Sequence, residues 1–196
     1  MKIGVLALQG AVREHVQLLE QAGATAVAVK RAEQLRDLDG LVIPGGESTT
    51  IGKLMREYQL TEPVLKMHRE GKPIFGTCAG LILIAKRVEG LDEPHLGLMD
   101  ITVKRNAFGR QRESFEAALN IEEIGDNFQA VFIRAPYIEQ AGPGVKVLAT
   151  VDGKIVAARE GTLLGAAFHP ELTDDLRFHA YFVKMVQESM VTKVNL

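Results

Sequence analysis

The sequence predicts an α/β fold: a mostly parallel central sheet flanked by helices, with an antiparallel strand portion in the second half. Three observations carry this. Short continuous apolar runs recur in the first half, each of strand length, with helix-period segments between them. Strands apolar at every position fit a sheet covered on both faces, which is the parallel case. After about residue 98 the pattern changes to alternating polar and apolar positions broken by turn signals, as antiparallel strands show.

Taken in order, "IGVLAL" (3–8) is the first strand. In "AVREHVQLLEQAG" (11–23), Val12, Val16, Leu19 and Ala22 fall near helical spacing and Gly23 is placed to cap the end. "TAVAVK" (25–30) and "GLVIPGG" (40–46) are the next strands, and a helix begins near Ser48 and Thr49, either of which can cap it. "EPVLKMHREG" (62–71) reads as a helix opened through proline and closed by glycine. "KPIFGTC" (72–78) is a short strand running straight into a helical "AGLILIAKRV". Beyond it, "LMDITVKRNAFGRQRESFEAALNI" suggests antiparallel strands around the turn-prone "NAFGRQ". "AVFIRAPYIEQ", "VKVLATVDGKIVAARE" and "LLGAAFHPEL" continue as short strands, with "VDGK" a hairpin turn. The closing "DDLRFHAYFVKMVQESM" is a helix whose face carries Leu176, Tyr181 or Phe182, Met185 and Val186.

No repeat, low-complexity stretch or linker interrupts the 196 residues, so one domain spanning 1–196 is expected. Apolar residues make up 46% and charged residues 24%, an ordinary globular balance. A formal charge of −2 without a basic run gives no footprint for nucleic acid. No stretch approaches the ~18 consecutive apolar residues of a membrane helix. The apolar run in "MKIGVLALQG" is too short for a secretory signal and lacks a small-residue cleavage site. One cysteine cannot form an internal disulfide. A soluble, cytoplasmic protein is expected.

That cysteine, Cys78, lies in Gly76-Thr77-Cys78-Ala79-Gly80. A lone cysteine is often an inert packing group. Here, though, a strand precedes it, a helix comes after it, and small residues stand two positions to either side, which is the spacing of a nucleophile elbow. Such a turn holds the thiol out at the C-terminal end of a strand, where open α/β sheets bind ligands. The backbone N–H of Ala79 is placed to stabilise an oxyanion, and the helix start favours a thiolate.

A nucleophile needs a base, and the base an orienter. Among five histidines, His15 and His68 fall on helices among charged neighbours and read as solvated; His95 comes after a proline in a loop, and His179 belongs to the last helix. His169, in "FHPEL", ends a strand, and Pro170 forces it into an extended conformation. Residues i and i+2 of an extended segment share a side, so Glu171 can lie beside it and fix its tautomer. Alone, that pair reads as a strand-end histidine beside a surface glutamate; together with the elbow it makes a Cys–His–Glu set. A third element, "IPGGESTT" (43–50), has two glycines at a strand end, where backbone N–H groups can meet an anion. The P-loop spacing and its lysine are absent.

These elements together resemble the class I glutamine amidotransferases, and "LALQGAVREH", "LVIPGGESTT", "GTCAGLILIAK", "RNAFGRQRESFE", "VFIRAP" and "AFHPEL" resemble the glutaminase-subunit family of pyridoxal 5′-phosphate synthases. The likeness runs from about residue 3 to the last helix. It implies a flavodoxin-like, class I amidotransferase-like fold. It also implies hydrolysis of L-glutamine to glutamate and ammonia through a glutamyl thioester, with Cys78 as nucleophile, His169 as acid and base, and Glu171 as orienter. Gly46 and Ala79 would form the oxyanion hole. Gly46, Glu47, Ser48, Arg105, Ile133 and Arg134 would bind glutamine, whose two charged ends need a cation and acceptors. By their residue types alone, Arg105 and Arg134 read as surface ion-pairing groups. No cofactor is implied, and no histidine–cysteine spacing suggests a metal. The partner implied is a synthase subunit forming a ring, with the glutaminase on its periphery, poorly active until docked. The "LQG" turn (8–10) is a candidate for that interface, with Gln9 at its tip. The remaining alternatives are a glutaminase of another amidotransferase pathway and a non-enzymatic regulatory subunit.

Overall fold

A computed structural model describes residues 1–109 and 113–195. In chain order, the first half has β1 (Lys2–Leu6), α1 (Val12–Gln21), β2 (Thr25–Val29), β3 (Gly40–Ile43), α2 (Ser48–Glu57), α3 (Thr61–Arg69), β4 (Ile74–Thr77), α4 (Ala79–Ile84) and β5 (Ala85–Val88). The second has β6 (Met99–Lys104), β7 (Ser114–Ile121), β8 (Gly125–Ile133), β9 (Tyr137–Ala141), β10 (Lys146–Val151), β11 (Lys154–Glu160), β12 (Leu163–Ala166) and α5 (Arg177–Val194).

The main sheet is ordered β2-β1-β3-β4-β12-β11-β9-β6-β5, with β10 paired to β11. From β2 to β12 every pairing is parallel, and from β12 to β6 every pairing is antiparallel. The expected α/β architecture is present. Every residue of β3, β4 and β12 is buried, which is why these strands read as unbroken apolar runs. Helix α5 covers one face through Phe178 and Phe182, whose rings lie 5.2 and 5.4 Å from that of Phe75 on β4. The "VDGK" turn is a two-residue hairpin: Asp152 and Gly153 both have positive φ, and Val151 pairs with Lys154. Among the described residues, no helix is long and apolar enough to cross a membrane.

Three local expectations change. "AGLILIAKRV" is not one helix: α4 stops at Ile84 and Ala85–Val88 is a strand beside β6. All six residues of α4 are buried, so no polar face marked where the helix ends. Helix α2 is capped by neither Ser48 nor Thr49 but by Glu47, whose carboxylate accepts from the N–H groups of Thr49 and Thr50 at 3.0 and 2.7 Å. The strands on either side of "NAFGRQ" are antiparallel to other strands, not to each other: β6 pairs with β9, and β7 with β8 in a separate two-stranded sheet. Residues 110–112, in and just after that turn-prone segment, lie outside the described residues.

Candidate active site

Strands β3, β4 and β12 are neighbours and parallel, so their C-terminal ends emerge at one edge of the sheet. The residues just beyond each strand make the site. After β3 come Pro44, Gly45 and Gly46; after β4 comes Cys78; after β12 the chain reaches His169 in three steps.

Cys78 sits on the sharp turn between β4 and α4 at φ 51° and ψ −105°, a conformation that costs a non-glycine residue about 1–3 kcal/mol. The turn is held on both sides. The Cys78 N–H donates to the Ala166 carbonyl at 2.8 Å, and the small neighbours are sterically required. A Cβ on Gly76 would stand 2.4 Å from the Gly80 oxygen, and one on Gly80 only 2.0 Å from the Ile43 oxygen. The thiol is 7% exposed, and its Sγ lies 3.9 Å from the Ile133 carbonyl at the end of β8.

The His169 N–H donates to the Val131 carbonyl of β8 at 2.8 Å, which fixes the backbone opposite Cys78. Its Nδ1 lies 2.7 Å from Glu171 Oε1. The two side chains meet, though not by strand alternation. Pro170 opens a 3-10 turn, Pro170–Leu172, and the turn swings the carboxylate back under the ring. Burial of His169 disfavours its charged form, but hydrogen bonds to Cys78 and Glu171, and the charges of both, outweigh burial and raise its pKa to about 10. The Gly45 backbone is wedged against this pair: a Cβ there would stand 2.7 Å from His169 Cε1 and 3.3 Å from Cys78 Cβ.

Glu171 is 4% exposed. Its other oxygen, Oε2, faces His15 Nε2 at 3.5 Å. The expectation for His15 is corrected here: it is not solvated but completely buried, as is His179. The buried face of α1 is His15, Leu18 and Leu19, rotated from the stripe expected at Val12, Val16, Leu19 and Ala22. His95 and His68 are half-buried, and burial lowers the pKa of both.

On the β3 side, the Glu47 N–H donates to Gln9 Oε1 at 2.9 Å, and Gly46, at φ 142°, lies so close that a Cβ would stand 2.7 Å from the same oxygen. The "LQG" turn therefore braces the "GGES" segment directly. Ser48 is buried, while Gly46 and Glu47 are exposed. The Glu47 carboxylate is engaged with Thr50 and Thr49, which lowers its pKa. Ile133 is 38% exposed beside the thiol, and Arg134 is exposed at φ 44° where the chain leaves β8. Arg105 is half-buried with its guanidinium near Gly90; its charge and those of Arg56 and Glu47 all act on His95, so Arg105 and Glu47 share one neighbourhood.

A sheet that delivers a thiol from one strand end and a histidine–glutamate pair from the next has the architecture of a class I glutamine amidotransferase. A solved structure described as a crystal structure of glutamine amidotransferase superposes with TM-score 0.90 and 49% identity, covering 94% of this chain and 98% of that one. The structure of PurLQS from Thermotoga maritima shares the fold at 18% identity and TM-score 0.67, covering 98% of each chain. At the level of sequence, the model of the SNO glutamine amidotransferase family matches residues 5–188, and the chain belongs to that family. Relatives named pyridoxal 5′-phosphate synthase subunit PdxT include one from Geobacillus kaustophilus, 66% identical over 96% of this chain and 96% of its own length. Another, from Bacillus thuringiensis, is 58% identical over 99% of each.

Proposed function

We propose that this chain is the glutaminase subunit of a pyridoxal 5′-phosphate synthase, hydrolysing L-glutamine to L-glutamate and ammonia on Cys78, His169 and Glu171. The observation that carries the reading is the meeting of those three side chains at adjacent strand ends, in a chain whose near-full-length relatives bear that subunit's name. The likeness to PurLQS, at 18% identity, extends to the fold alone.

The chemistry follows from these three roles. His169, its pKa raised to about 10 by its contacts with Cys78 and Glu171, takes the thiol proton and is then an imidazolium. The thiolate attacks the side-chain amide carbon of glutamine. The carbonyl electron pair moves to oxygen, where the backbone N–H groups of Gly46 and Ala79 serve as donors, each worth about 10²–10³ in rate. His169 gives its proton to the departing nitrogen, the C–N bond breaks, and ammonia leaves behind a glutamyl thioester. Water then adds to the thioester while His169 accepts its proton, and the C–S bond breaks to release glutamate. Throughout, Glu171 Oε1 holds the imidazole by Nδ1, fixing its tautomer and steadying the cation.

The α-amino and α-carboxylate ends of glutamine are assigned to the groups around the thiol: the Gly46-Glu47-Ser48 segment, Arg105, and the Ile133-Arg134 corner. Ammonia passes to the synthase subunit, the partner that docks beside Gln9. A cytoplasmic location, where a lone thiol stays reduced, suits this chemistry.

The test is ammonia release from L-glutamine by the purified chain, alone and with the synthase subunit. Turnover is expected with the partner, and Cys78→Ala should abolish it. Activity that survives the substitution removes Cys78 as nucleophile, and no activity in any combination favours a regulatory subunit.

A further inference from the structure

Behind Glu171 lies a second pair of imidazoles for which the thioester chemistry has no use. His15 of α1 and His179 of α5 are both completely buried, far apart in sequence, and meet with His15 Nδ1 2.8 Å from His179 Nε2. The edge of Phe75 closes the space: its ring centroid is 6.4 Å from that of His15 and 6.0 Å from that of His179. The other nitrogen of His15, Nε2, faces Glu171 Oε2 at 3.5 Å and the Thr77 hydroxyl oxygen at 3.4 Å. Among the described residues, no group of three or more His, Cys, Asp or Glu is arranged to hold a metal, so the cluster is not a ligand set.

The protons on this pair can be assigned. Burial, then the charges of His179 and His169, pushes the His15 pKa well below 6.5, and burial pushes that of His179 down to about 4. Both rings are therefore neutral at pH 7, with one N–H each. At 2.8 Å, one of the two facing nitrogens carries the hydrogen and the other is bare. Suppose His15 Nδ1 is the donor. Its bare Nε2 can then accept from the Thr77 hydroxyl but also sets its lone pair against the carboxylate, and His179 keeps its proton on Nδ1, a buried atom with no hydrogen-bond partner. Orphaned buried N–H groups are rarer than orphaned acceptors. Suppose instead that His179 Nε2–H donates to His15 Nδ1. The His15 proton then sits on Nε2 and faces Glu171 Oε2 at 3.5 Å, an oxygen buried without a hydrogen-bond partner of its own. His179 Nδ1 is then a bare lone pair, the lesser cost. The second assignment removes both conflicts.

We propose that His15 is a positioning residue for the glutaminase reaction, its Nε2–H steadying the second oxygen of Glu171 while His179 holds His15 in that tautomer. The carboxylate then lies between two imidazoles, His169 on Oε1 and His15 on Oε2. With Oε1 hydrogen-bonded to His169 and Oε2 facing the His15 N–H at 3.5 Å, rotation of the carboxylate is opposed, so it presents one acceptor to His169 Nδ1–H and keeps the imidazole aimed at Cys78. The neutral His15 does this without adding a charge that would compete with the imidazolium. Among the described residues, the imidazole or cationic nitrogens within 4.0 Å of the Glu171 carboxylate are those of these two histidines.

The inference rests on reading Cys78, His169 and Glu171 as the triad, and its two tests separate the claims. The first needs no turnover: 15N NMR of the unmodified full chain, labelled at histidine, reads each tautomer. His15 and His179 are expected neutral and protonated on Nε2 at pH 7; a proton on His15 Nδ1, or a charged His15, overturns the proposal even if Cys78→Ala is inactive as expected. The second uses the complex with the synthase subunit. His15→Leu should lower kcat by about 10- to 100-fold with little change in KM, the range of other second-layer orienting groups. His15→Gln, whose amide N–H can reach Oε2, should recover most of the loss. If His15→Leu lowers only Tm and leaves kcat as in the parent, the pair is packing and the proposal fails. Should His15→Leu not fold, His179→Phe, which releases the tautomer of His15, is expected to lower kcat in the same way, and an unchanged kcat there counts against the pair.

Discussion

Cys78 bears a backbone conformation that its own side chain does not favour. At φ 51° it is strained, and the strain is imposed from outside: Gly80 lies against the Ile43 carbonyl, Gly76 against Gly80, and the Cys78 N–H is tied to Ala166. A glycine adopts this φ without cost, at the expense of extra freedom in the unfolded chain. Cys78→Gly is therefore expected to exceed Cys78→Ala in stability by about 1 kcal/mol while both are inactive. Urea unfolding of the two variants measures the difference, and an alanine variant as stable as the glycine one would mean that the turn is unstrained. The same crowding explains Gly45, whose missing Cβ is the space that His169 and Cys78 occupy. The glycines of "GTCAG" were legible as an elbow from their spacing. The need for Gly45 was not, because it is set by a histidine more than a hundred residues away in the chain.

At the scale of elements, the site is a property of three strand ends and one hairpin. Strands β3, β4 and β12 supply the glycine segment, the thiol and the imidazole; the β7–β8 pair closes the other side, taking the His169 N–H on Val131 and offering the Ile133 carbonyl to the thiol. The turn after β1 joins them through Gln9, whose side-chain oxygen accepts the Glu47 N–H. Gln9→Ala strips that N–H of its acceptor and frees the Gly46-Glu47 segment. The expected result is a severalfold weaker stimulation of glutaminase activity by the synthase subunit, with the fold intact by circular dichroism. Stimulation equal to that of the parent would detach Gln9 from activation. The strands were readable from their apolar runs, and the "VDGK" hairpin from its turn residues. The end of α4 was not, since a helix buried on every side has no periodicity to lose.

For the whole molecule, the packing of α5 and α1 over the sheet buries two histidines in neutral form, and this sets how the protein responds to acid. In the unfolded chain these groups bind a proton near pH 6.5; in the fold the pKa of His179 is about 4 and that of His15 is well below 6.5. Below pH 6.5 the unfolded state therefore holds more protons than the native state, and stability falls. The contribution of the pair is complete above pH 6.5 and is lost progressively as pH drops toward about 4. His169 has the opposite sign: raised to about 10, its contribution is complete below 6.5 and is lost only as pH rises, so it cannot cause the acid loss. Thermal unfolding should show Tm declining below pH 6.5, and His179→Phe should flatten that decline. An acid limb of the same steepness in the variant would assign the loss to other groups.

The sequence by itself determined the α/β class, the strand–turn–helix around Cys78 and the family, because each is written in local spacing or in short motifs; it also put Glu171 beside His169, though the 3-10 turn that joins them is not the extended segment expected. Even the burial of His15 left a trace: Leu18 and Leu19 stand at helical distances beyond it, as Phe182, Val183 and Val186 stand beyond His179, so both imidazoles fall on apolar faces. Charged neighbours along α1 hid that trace, since adjacent residues on a helix point in different directions. What only the tertiary structure decided is which side chains face one another across the sheet edge. Gln9 against Gly46, Ile133 against Cys78, and His15 between His179 and Glu171 are contacts between residues from separate elements. They exist because parallel strands gather their C-terminal ends at one edge, and because α1 and α5 cross the core beside them, and no stretch of sequence contains that arrangement.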